Sequence, residues 1–263
     1  MNGIVDKRKL FCDENRAIAL LEFKYEVKLL RKIIELAEKG VMTKEVKETG
    51  TYEGICYLFA SSIISYCKMA YDNIVIGHFY AAHMVLRSII ENNVCLDVIQ
   101  TYKKEELWKY YVVHSYKKTL ASFGNDLTDK EKSFLDKIVE NYKIDKDFLE
   151  KGEKKKAYID VDYGWIYKIK KHFSFFDLCQ LVNQSEYKDF KIMSTYSHGT
   201  SVYLKHGGFM SIEYIMNLIS CLYINIYRVI AMYCDEEVQD EFYTLCEEME
   251  SIIFNFIDVH SFE

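Results

Sequence analysis

Not one proline interrupts this chain of 263 residues, and only 11 glycines occur in it. Sheet-rich folds lean on the turn chemistry these two residues supply, whereas long helices joined by polar loops need little of it. Apolar residues recur at helical spacing, beginning with Ile18, Leu21, Tyr25, Leu29, Ile33 and Leu36. Half of the residues are hydrophobic, enough for a sizeable core. The expected fold class is all-α: a single helical bundle domain of about seven to nine helices.

The spacing predicts a first helix over residues 16–39, with Gly40 as its stop. A second follows near Ile55–Tyr71 and carries a small-residue patch of Ala60, Ser61, Ser62 and Ser65. A third runs from Val75 to Tyr102, and a fourth from Glu105 to Phe123. Thr128 and Glu131 have the spacing of a capping box, which starts a fifth helix reaching Asn141. A short helix opens at Ser174, and two long ones lie near Ser211–Cys234 and Glu236–Val259. Residues 143–165 are polar and aperiodic, the signature of a loop or mobile insertion. This divides the chain into an N-terminal helix and loop (1–50), a core (51–234) and an acidic C-terminal helix (235–263).

The net charge of −6 argues against broad, non-specific binding to nucleic acid, but leaves room for a local basic groove. From Val229 onward there is no lysine or arginine, while Asp235, Glu236, Glu237, Asp240, Glu241, Glu247, Glu248 and Glu250 cluster. Lys151, Lys154, Lys155, Lys156, Lys168, Lys170 and Lys171 form an opposing block. Two solvated faces explain this segregation; pairing between subunits, or a basic entrance for an anionic ligand, are sharper readings.

The eight cysteines include no C-x-x-C pair and sit mostly in apolar runs, as expected of buried free thiols in a reducing cytoplasm. The N-terminus lacks the apolar core of a signal peptide. Ile212–Cys234 is long enough to span a bilayer, but Glu213, Asn217, Asn225 and Arg228 would be costly in lipid. A central helix of a soluble bundle is expected there, without stable membrane insertion.

Chemistry is concentrated on the third helix. His83, Arg87 and Glu91 recur at i, i+4 and i+8, so they stack one turn apart on one face, among core formers such as Ala82, Leu86, Ile89 and Ile90. A charged row in such company needs partners or a ligand. A natural complement is Tyr196-Ser197-His198-Gly199-Thr200-Ser201, followed by His206. Arg87 suits a phosphate, which it can hold through two parallel hydrogen bonds, and a histidine exchanges protons near neutral pH. The candidate catalytic residues are thus Arg87, Glu91 and His198. His83, Asn92, Tyr196, Ser197, Ser201 and His206 are candidate binding residues. A structural network, with Arg87 and Glu91 paired and His198 locking a loop to the bundle, weighs about evenly against this reading.

Nucleotide-binding glycine loops, zinc-protease helices and nucleophile elbows are absent from the sequence. His78 and His83 lie on different helix faces, and nothing in the spacing calls for a metal. No cofactor is expected. Tyr163, Trp165 and Tyr167, beside Lys168, Lys170 and Lys171, have the composition of a base-stacking surface.

Arg87-Ser-Ile-Ile-Glu91, Tyr163-Gly164-Trp165 and Tyr196-Ser197-His198-Gly199 with Ser201 together resemble a family of bacterial all-helical proteins. That family looks like a branch of the HEPN superfamily (higher eukaryotes and prokaryotes nucleotide-binding). The resemblance implies a metal-independent ribonuclease of toxin–antitoxin, abortive-infection or other phage-defence type, working as a homodimer. It also implies attack of an RNA 2′-hydroxyl on the adjacent phosphodiester, with His198 as acid or base, Arg87 on the phosphorane charge and Glu91 orienting. The chain departs from the usual HEPN pattern, because no arginine is followed after four to six residues by histidine. Its site would be composite. Two other classes remain: a non-catalytic helical module binding a nucleotide, a nucleic acid or a partner protein of a defence system, and a membrane-associated abortive-infection protein.

Overall fold

The computed structural model describes residues 13–46, 48, 50–123, 128–150, 157–170, 173–182, 187–188, 190–191 and 212–260. Among them there is no β-strand, and the all-α class stands. The helices are α1 (13–21), α2 (Lys24–Met42), α3 (Tyr52–Val75), α4 (Phe79–Thr101), α5 (Leu107–Phe123), α6 (Asp129–Tyr142), α7 (Lys146–Leu149), α8 (Phe175–Leu181), α9 (Ile212–Tyr233) and α10 (Glu236–His260). They fall into two compact units. The first holds α1, α2, most of α3, the larger part of α4, α9 and α10; the second holds the remainder.

In the first unit, α2 packs on α9 and α10. Its buried face is the periodic set Val27, Leu30, Ile33, Ile34, Ala37 and Val41. Each large aliphatic side chain so buried contributes roughly 1.5–3 kcal/mol. From α9, Ile215, Leu218, Ile219, Leu222, Ile226 and Val229 are fully enclosed, and α10 adds Phe242 and Met249. Helix α9 is long and apolar enough to cross a membrane by length and composition, and 56% of that stretch is buried inside the fold.

Gly40 does not stop α2, which continues to Met42. A Cβ at Gly40 would lie 2.7 Å from the Cys234 sulfur and 2.9 Å from a Val238 methyl, so the glycine lets α2 approach the α9–α10 corner closely. The single first helix expected over residues 16–39 is instead two, broken before Lys24. The Phe23 N–H reaches back to the Ile18 carbonyl at 3.3 Å, and the Phe23 ring is buried. Burying that ring, with Leu21 left in solvent, turns the chain without glycine or proline.

In the second unit, α6 starts at the capping box foreseen from Thr128 and Glu131, both of whose hydrogen bonds form. A similar box, Ser174 with Asp177, starts α8. The polar segment after α6 is not simply a solvated loop, since Phe148, Ile159, Trp165 and Ile166 are buried. Its described part contains α7 and two 3₁₀ turns, Tyr158–Asp160 and Gly164–Ile166. The Asp145 carboxylate pins it to α5, accepting hydrogen bonds from Tyr110 at 2.8 Å and Tyr167 at 2.6 Å, with Lys168 at 3.0 Å. Those donors, Tyr167 foremost, hold Asp145 down to a pKa of about 2. His114, buried on α5, contacts the Val161 carbonyl through Nε2 at 2.8 Å, and burial pulls its pKa down. The seven cysteines among the described residues are free thiols, all but Cys221 buried.

Candidate functional site

Helix α4 forms because Ala82, Leu86, Ile89, Ile90 and Val94 recur on one face and are wholly buried. The same period leaves Arg87, Ser88, Glu91 and Asn92 half-buried beside them. His83 is 1% exposed. Burial disfavours its charged form and pushes its pKa down to about 3, so the imidazole is neutral at physiological pH. Arg87 and Glu91, standing one turn apart, form the half-buried part of the row.

The Arg87 guanidinium lies over the Phe190 ring, its central carbon 4.8 Å from the ring centroid. This contact fixes a permanently charged, five-donor group against an aromatic face. Phe190 was not singled out in the sequence, where the one hint was an isolated aromatic in Lys188-Asp189-Phe190-Lys191.

Asn92 donates to the Ser88 carbonyl at 2.8 Å, a local bond within α4. Asn93 is turned inward and bonds to Asn225 of α9. The candidate residues Tyr196, Ser197, His198, Ser201 and His206 lie outside the described residues.

The Tyr163-Gly164-Trp165 motif has a structural explanation. Tyr163 adopts a left-handed conformation with φ +56°. A Cβ on Gly164 would come 1.9 Å from the Tyr158 carbonyl oxygen, so only glycine fits. Trp165 is buried and meets Tyr111 edge-on at 5.5 Å. Tyr167 stacks on Tyr158 at 4.9 Å and contacts Tyr110 and Phe148. Trp165 and Tyr167 thus spend their faces on the fold, and a base-stacking surface built from them is not what the structure contains.

Fold and site together define an all-α protein whose polar α4 face presents an arginine held on an aromatic ring. Residues 53–211 match the model of the family of unknown function DUF5677, and the chain belongs to that family. The matched stretch includes Arg87, Glu91, Tyr163-Gly164-Trp165 and the Tyr196–His206 segment. Comparisons with curated proteins and with solved structures return no match.

Proposed function

We propose that this chain is a HEPN-like, metal-independent RNA endonuclease, a cytoplasmic toxin or abortive-infection effector of bacterial phage defence that acts as a homodimer. The observation that carries the reading is the Arg87–Phe190 contact. It supports a composite site because Phe190 stands eight residues before His198 in the sequence. Chain length puts a ceiling of ~28 Å on their separation, so the reach to the α4 face is available.

In the proposed reaction, His198 accepts the proton of an RNA 2′-hydroxyl. The freed oxygen attacks the adjacent phosphorus, the bond to the 5′-oxygen breaks, and that oxygen takes up a proton. Arg87 donates two N–H groups to the non-bridging oxygens as negative charge builds on them. Glu91 orients the arginine or the histidine. His83, buried and neutral, supports α4 from within.

A second reading, an RNA- or nucleotide-binding module without turnover, is favoured by the absence of a histidine four to six residues after Arg87. Cleavage assays on purified protein separate the two. The nuclease reading expects RNA cleavage that falls about 100-fold or more in Arg87→Ala and His198→Ala, with both variants folded by circular dichroism. Tight RNA binding without cleavage in the unaltered protein would replace it with the module.

A further inference from the structure

Helix α5 turns one face toward the segment that follows α7, and its contacts there keep helical spacing. Tyr110 shares the Asp145 carboxylate with Tyr167, and Tyr111 meets Trp165 edge-on. Further along, His114 donates from Nε2 to the Val161 carbonyl at 2.8 Å. Lys117 pairs with Asp160, and Lys118 with Asp162 at 2.6 Å. Positions 110, 111, 114, 117 and 118 form one stripe of a helix.

Within that segment Asp160, Val161, Asp162 and Tyr163 differ from their neighbours. All four are exposed or half-buried, while Ile159 before them and Gly164, Trp165 and Ile166 after them are buried. They form a short flap between two fixed anchors. Tyr163, at its far end, has φ +56°, a left-handed conformation that is costly for a bulky side chain. The flap is held to α5 by the His114 bond and by two ion pairs, whose exposure to water keeps each weak.

A carbonyl oxygen can only accept, so Nε2 carries the hydrogen of the neutral His114 ring, and a further proton must go to Nδ1. The charges that face the ring are Lys118 on its own helix and Asp160 and Asp162 on the flap. Both carboxylates are already engaged by Lys117 and Lys118. An imidazolium here would add a third cation where only 8% of the residue reaches water. Burial opposes that charge most, and Lys118 adds to the opposition; the Val161 carbonyl and the two aspartates offset only part of it.

We propose that Asp160–Tyr163 is an acid-released flap: as His114 gains a proton, the flap lifts from α5 and bares the cationic row His114, Lys117 and Lys118. The direction follows from linkage. The ring ionises below its ordinary 6.5 with the flap down and at that value with the flap up, so the open form gains as pH falls through 6.5. Between pH 7.5 and 5.5 its population rises at most about tenfold, the limit for a single group of that pKa. Ordinary carboxylates titrate below this window and lysines above it. The flap does not depend on the reaction proposed at Arg87.

Amide hydrogen exchange of the full chain, followed by NMR and corrected for intrinsic rates, tests the assignment. The reporting amides are Val161, bonded to the Tyr158 carbonyl, and Gly164, bonded to the Val161 carbonyl. Their protection is expected to fall about three- to tenfold from pH 7.5 to 5.5. His114→Gln keeps an N–H donor for the Val161 carbonyl and cannot titrate, so the fall is expected to vanish in it. The His114 ring signal of the unaltered protein is expected to titrate below 6.5, a reading that needs no variant. A fall of equal size in His114→Gln, no fall in the unaltered protein, or a ring that titrates at or above 6.5 overturns the proposal.

Discussion

The buried Asn93 side chain of α4 donates to the Asn225 side-chain oxygen at 2.9 Å and to the Asn225 carbonyl at 3.1 Å. Asn225 in turn donates to the Cys221 carbonyl at 2.8 Å, while the Asn93 oxygen has no hydrogen-bond partner among the described residues. A polar pair so enclosed fixes the register of α4 on α9 and so the direction in which the Arg87 face points. Asn225→Leu removes the side-chain acceptor and leaves the Asn93 amide only the backbone carbonyl of residue 225, which is expected to cost about 1–2 kcal/mol. Asn93→Leu/Asn225→Leu removes both polar groups and is expected to recover most of that loss. Urea unfolding of the two singles and the double gives the coupling; additive losses would show that the pair does not act as a unit.

Gly164→Ala is expected to destabilise the protein by at least about 2 kcal/mol. The added methyl meets the Tyr158 carbonyl oxygen, a backbone atom that cannot rotate away. Trp165→Ala, which empties a buried site, is expected to cost about 3–5 kcal/mol. Thermal melts check both. A Gly164→Ala protein as stable as the parent would mean the 3₁₀ turns at Tyr158 and Gly164 are not so closely opposed.

Stability is expected to fall with acid, and His83 sets part of the slope. Its pKa is about 3 in the fold, against an ordinary 6.5. The unfolded chain therefore binds the extra proton first. This contribution is complete above 6.5 and is lost progressively as pH falls from there toward 3, amounting to about 2 kcal/mol by pH 5. Replacing His83 with phenylalanine, close to it in shape and without a titrating group, is expected to flatten the pH dependence between 7 and 5 by that amount. Chemical denaturation at the two pH values measures it, and an unchanged slope would contradict the burial of this ring.

Thr128→Ala removes the hydroxyl at the start of α6 and is expected to cost about 1 kcal/mol. Hydrogen exchange is expected to quicken in the first turn of α6, whose backbone N–H groups the box satisfies. Unaltered exchange there would show that the cap contributes nothing.

The long helices were legible because their apolar residues keep the 3.6 period, and the α6 cap because two residues at fixed spacing specify it. What escaped reading depends on tertiary contact. The break before Lys24 comes from burying Phe23, with no glycine or proline to mark it. Gly40 resembles a helix stop in sequence, whereas its use is close approach to Cys234. Core residues after α6 are too few and too irregularly spaced, Phe148, Ile159 and Trp165 among many polar neighbours, to show a period. The Arg87–Glu91 face followed from i,i+4 spacing alone. Its aromatic partner Phe190, about a hundred residues away in sequence, could not be found from local pattern.

Sequencing the ends of RNA fragments released by the purified chain, with chelator present throughout, tests the Arg87–His198 site most directly. The account predicts 2′,3′-cyclic phosphate and 5′-hydroxyl ends that accumulate with chelator and are lost in Arg87→Ala. Fragments ending in 5′-phosphate, cleavage abolished by chelator, or undiminished cleavage in Arg87→Ala would contradict it.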